Sequence, residues 1–269
     1  MTSASSYQYQ PLEPGEIRLL QLLPRKLHVQ NDPVRFHIVH TSFARCHIPD
    51  SFFSYEAVSY VWGGDRTDLV YCDDSEILVT PNLVSALSRL REKMPEYPGF
   101  HRTLWADSIC INQNDVVERG HQVRLMRDIY SHATRVIIWL GGSQEVEDNL
   151  TRIKNRDRSQ VRFDLRLGRA FADWSMPVTR IFDQPWFQRV WVIQEVVFAA
   201  NAIVLGGKAS IKWEQLVYTA ENGKMNSEIT TAQRIRCDAV LGIECLRNQI
   251  RKDGRSNSNL QLRKYAGII

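Results

Sequence analysis

Two carboxylates stand where a carboxylate is costly. Glu195 lies in Val190-Trp191-Val192-Ile193-Gln194-Glu195-Val196-Val197-Phe198, a run that is otherwise almost wholly apolar. An acid buried there must be paired or hydrogen-bonded. Asp107 closes a second apolar run, Leu104-Trp105-Ala106. Each has a chemical reading, as an acid facing a ligand, and a structural one. Structurally, Glu195 would pair with Arg189 or with Arg119, and Asp107 would cap the turn that follows it. The two arginines divide the same way: their guanidinium forks suit phosphates or buried acids. Cys110 lies three residues beyond Asp107, but nothing in the sequence nominates the histidine partner a nucleophilic thiol needs. His40, Cys46 and His47 have no spaced fourth ligand, so no metal site is expected.

The elements that must position these residues are most legible from Trp105 to Leu140. Leu104-Trp105-Ala106 reads as a short buried strand and Asn112-Gln113-Asn114-Asp115 as a turn. Asp115 followed three residues later by Glu118 is a helix-start signal. Val123, Met126, Tyr130 and Ala133 then recur at helical spacing, widened by Leu125 and Ile129. Arg135 to Leu140 is a second buried strand, stopped by Gly141-Gly142. Strand, helix, strand is a βαβ unit with parallel strands. A further strand, Tyr55 to Trp62, ends in Gly63-Gly64-Asp65.

Three candidate parallel strands therefore end at Trp62, Ala106 and Leu140, each running into a polar or glycine-rich loop. Ligands of open α/β sheets sit at the carboxyl ends of the strands. Glycines let backbone N–H groups approach a ligand, and helix N-termini favour anions. The layout is that of a nucleotide or sugar-phosphate pocket. No GxGxxG or GxxxxGK[ST] is present, so hydride transfer and P-loop hydrolysis lack their main support. Trp62 and Trp191 could stack on a ring, with core packing as their ordinary alternative.

The chain has 269 residues, a formal charge of +4, 43% hydrophobic and 24% charged residues, and five scattered cysteines without a CxxC pair. This is the profile of a globular protein in a reducing, cytoplasmic compartment without a disulfide framework or zinc site. Met1 to Pro14 lacks the basic start and apolar core of a secretory signal. No run approaches the ~18–20 apolar residues of a membrane span. So mild a positive charge does not argue for nucleic acid. The expected organisation is a disordered arm at 1–15, a domain at 16–222 with its core motifs at 55–200 and a basic insertion at 143–170, and a helical, basic tail at 223–269 that reads as truncated. Ile17 to Leu23 and Val34 to Val39 read as a hairpin or an edge of the sheet, and Thr80-Pro81 as a helix start.

Four ordered segments carry a resemblance. They are Ser59-Tyr60-Val61-Trp62-Gly63; Trp105 to Gln113 with Glu118-Arg119, Gln122-Val123, Met126 and Ile129-Tyr130; Val136 to Gly141; and Pro185 to Glu195. Together they resemble the fungal heterokaryon-incompatibility (HET) domain. The resemblance implies a role in programmed cell death between incompatible strains. HET domains look like distant relatives of TIR domains, which implies an α/β fold: an open, mainly parallel sheet with helices on both faces, flavodoxin/TIR-like, here with N-terminal β segments and a helical C-terminal extension. Some TIR domains cleave NAD between nicotinamide and ribose, with an essential glutamate in a Trp-x-x-x-Glu helix. Trp191 and Glu195 have that spacing, although the insertion before them is longer than in a TIR domain. By this resemblance Glu195 and Asp107 would be catalytic, and Ser59, Trp62, Gly63, Gly64, Asp65, Arg119, Gly141, Arg189 and Trp191 would bind the ligand. NAD would be a substrate rather than a cofactor. Breaking its glycosidic bond develops an oxocarbenium-like sugar that a carboxylate can stabilise. Self-association and a cell-death signalling partner are expected, with a non-catalytic oligomerising or partner-binding module as the alternative.

Overall fold

A computed structural model describes residues 5–26, 28–47, 54–92, 94, 101–155, 179–189, 191–224 and 229–253. In chain order its regular elements are β1 (Ser5–Ser6), β2 (Glu16–Leu22), β3 (Arg35–Ser42), β4 (Glu56–Tyr60), β5 (Asp68–Cys72), β6 (Ser75–Val79), α1 (Pro81–Arg91), β7 (Arg102–Trp105), α2 (Asp107–Cys110), α3 (Val116–His132), β8 (Arg135–Trp139), α4 (Gln144–Lys154), α5 (Val192–Val197), β9 (Ala202–Gly206), β10 (Ala209–Lys212), α6 (Trp213–Lys224) and α7 (Thr231–Asp253). Most of the basic insertion (156–170) and the end of the tail (254–269) lie outside the described residues.

The strands that matter most are nearly continuous apolar runs. All five residues of β4 and four of the five in β8 are buried, the pattern of strands covered on both faces. β7 and β8 pair parallel with β4, and β9 pairs parallel with β8. Their spatial order, β7-β4-β8-β9, is 2-1-3-4 in chain order, the doubly wound flavodoxin-type arrangement. The chain leaves β4 to one side for β7 and crosses to the other for β8. The topological switch point therefore lies at the carboxyl ends of β4 and β8. The complete sheet has ten described strands in the order β1-β6-β5-β3-β2-β7-β4-β8-β9-β10. The fold is thus the expected open, mainly parallel α/β sheet.

Side-chain alternation along β4 sends Ala57 and Ser59 to one face, Val58 and Tyr60 to the other. Trp105, in register with Ala57, meets Tyr130 of α3 edge-on at 5.5 Å between ring centroids, so α3 covers the Ser59 face. Trp139, in register with Tyr60, donates its indole N–H to Asn82 of α1 at 2.9 Å, so α1 covers the other. Asn82 in turn donates to the Val61 carbonyl at 2.7 Å and clasps the ends of β4 and β8. At the opposite end of the sheet Glu56 takes Arg102 and Arg135, fixing the register of β7, β4 and β8.

The helix-start signals act unequally. Asp115 accepts from the N–H groups of Val117 and Glu118 at 2.9 and 3.0 Å. Glu118, expected to help start the helix, turns away instead and binds both oxygens to the buried Arg18. Pro81 opens α1, although Thr80 makes no side-chain cap bond.

Of the two alternatives for β2 and β3 the hairpin holds, and it is not an edge: β2 also pairs antiparallel with β7 and lies inside the sheet, with six of its seven residues buried. One expectation needs correction. Residues 5–15 are not a loose arm throughout. β1 pairs with β6, the Tyr9 hydroxyl donates to the Ile109 carbonyl at 2.8 Å, and the Gln10 carbonyl accepts from Arg18 at 2.6 Å. The expected helix of the tail forms as α7 and packs back on the domain: Arg247, 1% exposed, donates to the Val196 carbonyl and so braces α5, the helix of Glu195. Among the described residues, no helix is long and apolar enough to cross a membrane.

Gly206 shows how tightly α4 closes on β9. A Cβ there would sit 2.2 Å from Val146 Cγ1 and 2.9 Å from Leu150 Cδ1. Gly206→Ala is expected to cost about 1–3 kcal/mol by overpacking, read as a lower urea midpoint at unchanged slope.

Candidate functional site

The first cluster lies on the α3 face beneath the carboxyl end of β4. Pro185 opens a short 3-10 turn, Pro185–Gln188, that buries Trp186. The chain then extends at Arg189 and coils into α5 after Trp191. The Trp186 indole N–H donates to Ser59 Oγ at 2.8 Å, and Ser59 Oγ donates to Glu195 Oε2. Arg189 Nη2 donates to Glu195 Oε1 at 3.3 Å, while Nη1 donates to the Tyr60 carbonyl at 2.6 Å. Glu195 is 1% exposed, with both oxygens partnered. Burial pushes its carboxyl up and nearby Asp107 adds to the push. Arg189 and Ser59 pull it down, and it comes to rest at about 7.

The second cluster lies at the carboxyl end of β7, where Asp107 opens the single turn α2. Both of its oxygens accept the same indole N–H, from Trp62, at 3.0 and 2.9 Å. Oδ1 also accepts the backbone N–H of Ser108 at 2.8 Å, although the N-cap position of the turn is Ala106, which makes no side-chain cap bond. Burial raises its carboxyl, opposed by Trp62 and by the charge of Arg189. Tyr60 joins the clusters: its carbonyl holds Arg189 and its hydroxyl meets the Ser108 hydroxyl.

The structure thus brings Ser59, Trp62, Asp107, Arg189 and Glu195 together at one end of the sheet. Gly63 and Gly64 follow in left-handed conformations, at φ +51° and +73°, which suit glycine, and with Asp65 form an exposed loop. Trp62 and Trp191, whose ordinary place is the core, are 37% and 51% exposed. Two nominated residues are engaged elsewhere. Arg119 folds back to the Gln113 carbonyl at 3.1 Å, so Arg189 is the ion-pair partner of Glu195. The Gly141 carbonyl accepts the Gly207 N–H at 2.9 Å and is fastened to the β9–β10 turn. Sequence reasoning assigned no part to Trp186, Tyr60 or Asn82. The first two stand inside recognisable motifs, as does Ser108 of the polar loop after β7, but nothing in their spacing reveals what they touch. Among the described residues, no group of three or more His, Cys, Asp or Glu could hold a metal ion.

Chemically, the site offers a carboxyl that titrates near neutrality, a second carboxyl already committed to hydrogen bonds, and a guanidinium shared between a carbonyl and an acid. The carboxylate could stabilise a developing cation, and the guanidinium could bind a phosphate.

A doubly wound α/β domain with a buried acid–arginine site at its switch point is the class that fold and geometry define. The family model for heterokaryon incompatibility protein (HET) matches residues 55–195, from the start of β4 to Glu195. This chain belongs to that family. It is similar to heterokaryon incompatibility protein 6, OR allele, of Neurospora crassa, with 30% identity over 235 residues. That match takes in 72% of this chain but 32% of the relative, so the chain spans about a third of the length of the protein it matches. No solved structure matches the chain significantly.

Proposed function

We propose that this domain promotes programmed cell death in heterokaryon incompatibility by cleaving NAD to nicotinamide and ADP-ribose, in the manner of the TIR domains it resembles. One observation carries the reading: Glu195 is held near a pKa of about 7, beside Asp107 and Arg189, at the carboxyl end of the first strand of a doubly wound sheet. In the proposed reaction the bond between nicotinamide and ribose C1′ breaks, and nicotinamide leaves with the electron pair. Glu195, ionised, stabilises the oxocarbenium-like sugar. Water adds at C1′ and releases its proton to solvent. Nicotinamide is already a cationic leaving group, so no general acid is required. Arg189, released from Glu195, takes a phosphate of the substrate. The protein acts in the cytoplasm and self-associates, and opening of the site accompanies assembly.

A second reading, a non-catalytic oligomerising or partner-binding module in the same pathway, has its own support. Glu195 is nearly inaccessible and both its oxygens are paired, as a purely structural acid would be. The test is nicotinamide release from NAD by the purified protein, dilute and at concentrations that permit assembly, for wild type and Glu195→Gln. Release by wild type alone supports the hydrolase. No release under any condition supports the module.

A further inference from the structure

We infer that Trp62, held by Asp107, is the platform on which the planar ring of the ligand stacks, and that Asp107 is a positioning residue rather than a second catalytic carboxylate. The inference deepens the proposed function, because it takes the same end of the sheet as the ligand site.

Asp107 is already occupied. Its two oxygens share one indole N–H and Oδ1 holds the Ser108 N–H as well, with the residue 8% exposed. Both oxygens are turned onto the indole and little of the residue is open, so it is poorly placed to reach a substrate. What it does instead is fix Trp62. An exposed indole can satisfy its N–H with water and rotate freely. This one has its polar edge pinned to a buried acid while 37% of the residue stays open to solvent. A pinned ring loses little freedom on binding, which is what makes a stacking surface effective. The chain then turns away through left-handed Gly63 and Gly64, and a side chain at Gly64 would meet nothing within 4 Å.

The neighbouring charge names the ligand class. Arg189 is bonded to the Tyr60 carbonyl, two residues before Trp62, or at most about 7 Å of chain. Trp191, 51% exposed, is two residues beyond Arg189. Two open indoles thus lie within two residues, along the chain, of this guanidinium or of the carbonyl that holds it. Aromatic faces take planar rings and guanidinium takes phosphate, and a molecule that offers both is a nucleotide.

The experiment is equilibrium binding of AMP and of ribose 5-phosphate to wild type, Trp62→Ala, Trp62→Phe, Asp107→Asn and Asp107→Ala. Loss of a stacking ring weakens base binding by about ten- to a hundredfold, so Trp62→Ala should lose AMP by that factor and keep ribose 5-phosphate. Trp62→Phe retains a ring and should hold AMP within severalfold. Asp107→Asn, whose amide oxygen still accepts the indole N–H, should do likewise. Asp107→Ala should weaken AMP, and should add little when Trp62 is already alanine. Equal AMP affinity in wild type and Trp62→Ala, or no AMP binding by wild type, overturns the platform. AMP has no nicotinamide bond, so these results stand apart from hydrolysis. AMP binding with this pattern but no NAD turnover keeps the platform and removes the hydrolase. Where NAD is turned over, Asp107→Ala should raise KM and leave kcat within about tenfold. A kcat loss beyond about a hundredfold would put Asp107 in the chemistry.

Discussion

Arg18→Ala is expected to destabilise the domain by about 3–5 kcal/mol, the cost of leaving half of a buried ion pair without its partner. Arg18 is fully buried in the middle of β2. Its guanidinium donates to both Glu118 oxygens at 2.6 and 2.9 Å, to the Gln10 carbonyl at 2.6 Å and to the Cys110 carbonyl at 3.2 Å, and lies 4.9 Å from the centre of the Tyr9 ring. One side chain thus ties together the N-terminal segment, an interior strand, the α2 turn and the start of α3. Without it Glu118 keeps, among the described residues, the Asn112 N–H at 2.7 Å, in a setting that leaves 10% of its side chain exposed. Replacing both partners by apolar residues of similar volume should recover much of the loss. The effect also has a pH signature. Burial pushes the Glu118 carboxyl up, but the bonds from Arg18 and Asn112 outweigh it and hold the group below its ordinary value. A depressed carboxyl stabilises the fold above its unfolded value of about 4.3 and loses that contribution as pH falls through the folded value. The gap between wild type and Arg18→Ala should therefore be widest near pH 7 and shrink below about pH 4. Urea unfolding at both pH values measures it. A loss under about 1 kcal/mol at pH 7 would mean that the pair behaves like a surface ion pair.

Why Arg18 was not legible in the sequence is instructive. Ile17 to Leu22 reads as a strand because apolar residues dominate it, and a polar residue within it is naturally assigned to a wet face. That assignment holds only at an edge or on an open face. Here the hairpin is inserted between β7 and β5, and both Arg18 and Gln21 end up buried. The parallel core was easier to read. Its strands are apolar on both faces, its helix α3 begins at a real Asp115 cap, and its strand ends are marked by glycine or aspartate. The candidate site was legible in its members but not in its pairings. Spacing offered Glu195 two arginines, and only the fold reveals that Arg119, in the first turn of α3, turns back on the Gln113 carbonyl, while Arg189, extended after the 3-10 turn, reaches Glu195. The two exposed tryptophans run against the general burial of such residues, and such local departures cluster where a fold serves a site.

Glu195→Gln should separate folding from chemistry more sharply than any other substitution. The folded-state carboxyl, raised by burial to about 7, lies well above its unfolded value of about 4.3. Between these two pH values the folded protein holds a proton that the unfolded chain has released. The stability this contributes is complete below about pH 4.3 and is lost as pH rises through 7, with a ceiling of roughly 4 kcal/mol. Glutamine is neutral throughout, keeps an oxygen for the Ser59 hydroxyl and fills the same volume. Its stability should stay level across the window in which wild type declines, so that at pH 8 the variant is at least as stable, less whatever Arg189 loses with its anionic partner. NAD cleavage should move the opposite way. The oxocarbenium-like sugar is stabilised by the ionised form, so wild-type turnover should rise through about pH 7, and the variant should lose about a thousandfold of it. A variant that folds well and cannot turn over NAD would make the buried acid a catalytic group kept at the expense of stability. A variant with undiminished turnover would sink that assignment. If wild type itself releases no nicotinamide while the variant gains stability above pH 7, Glu195 is a structural acid, and the domain signals through its surface instead.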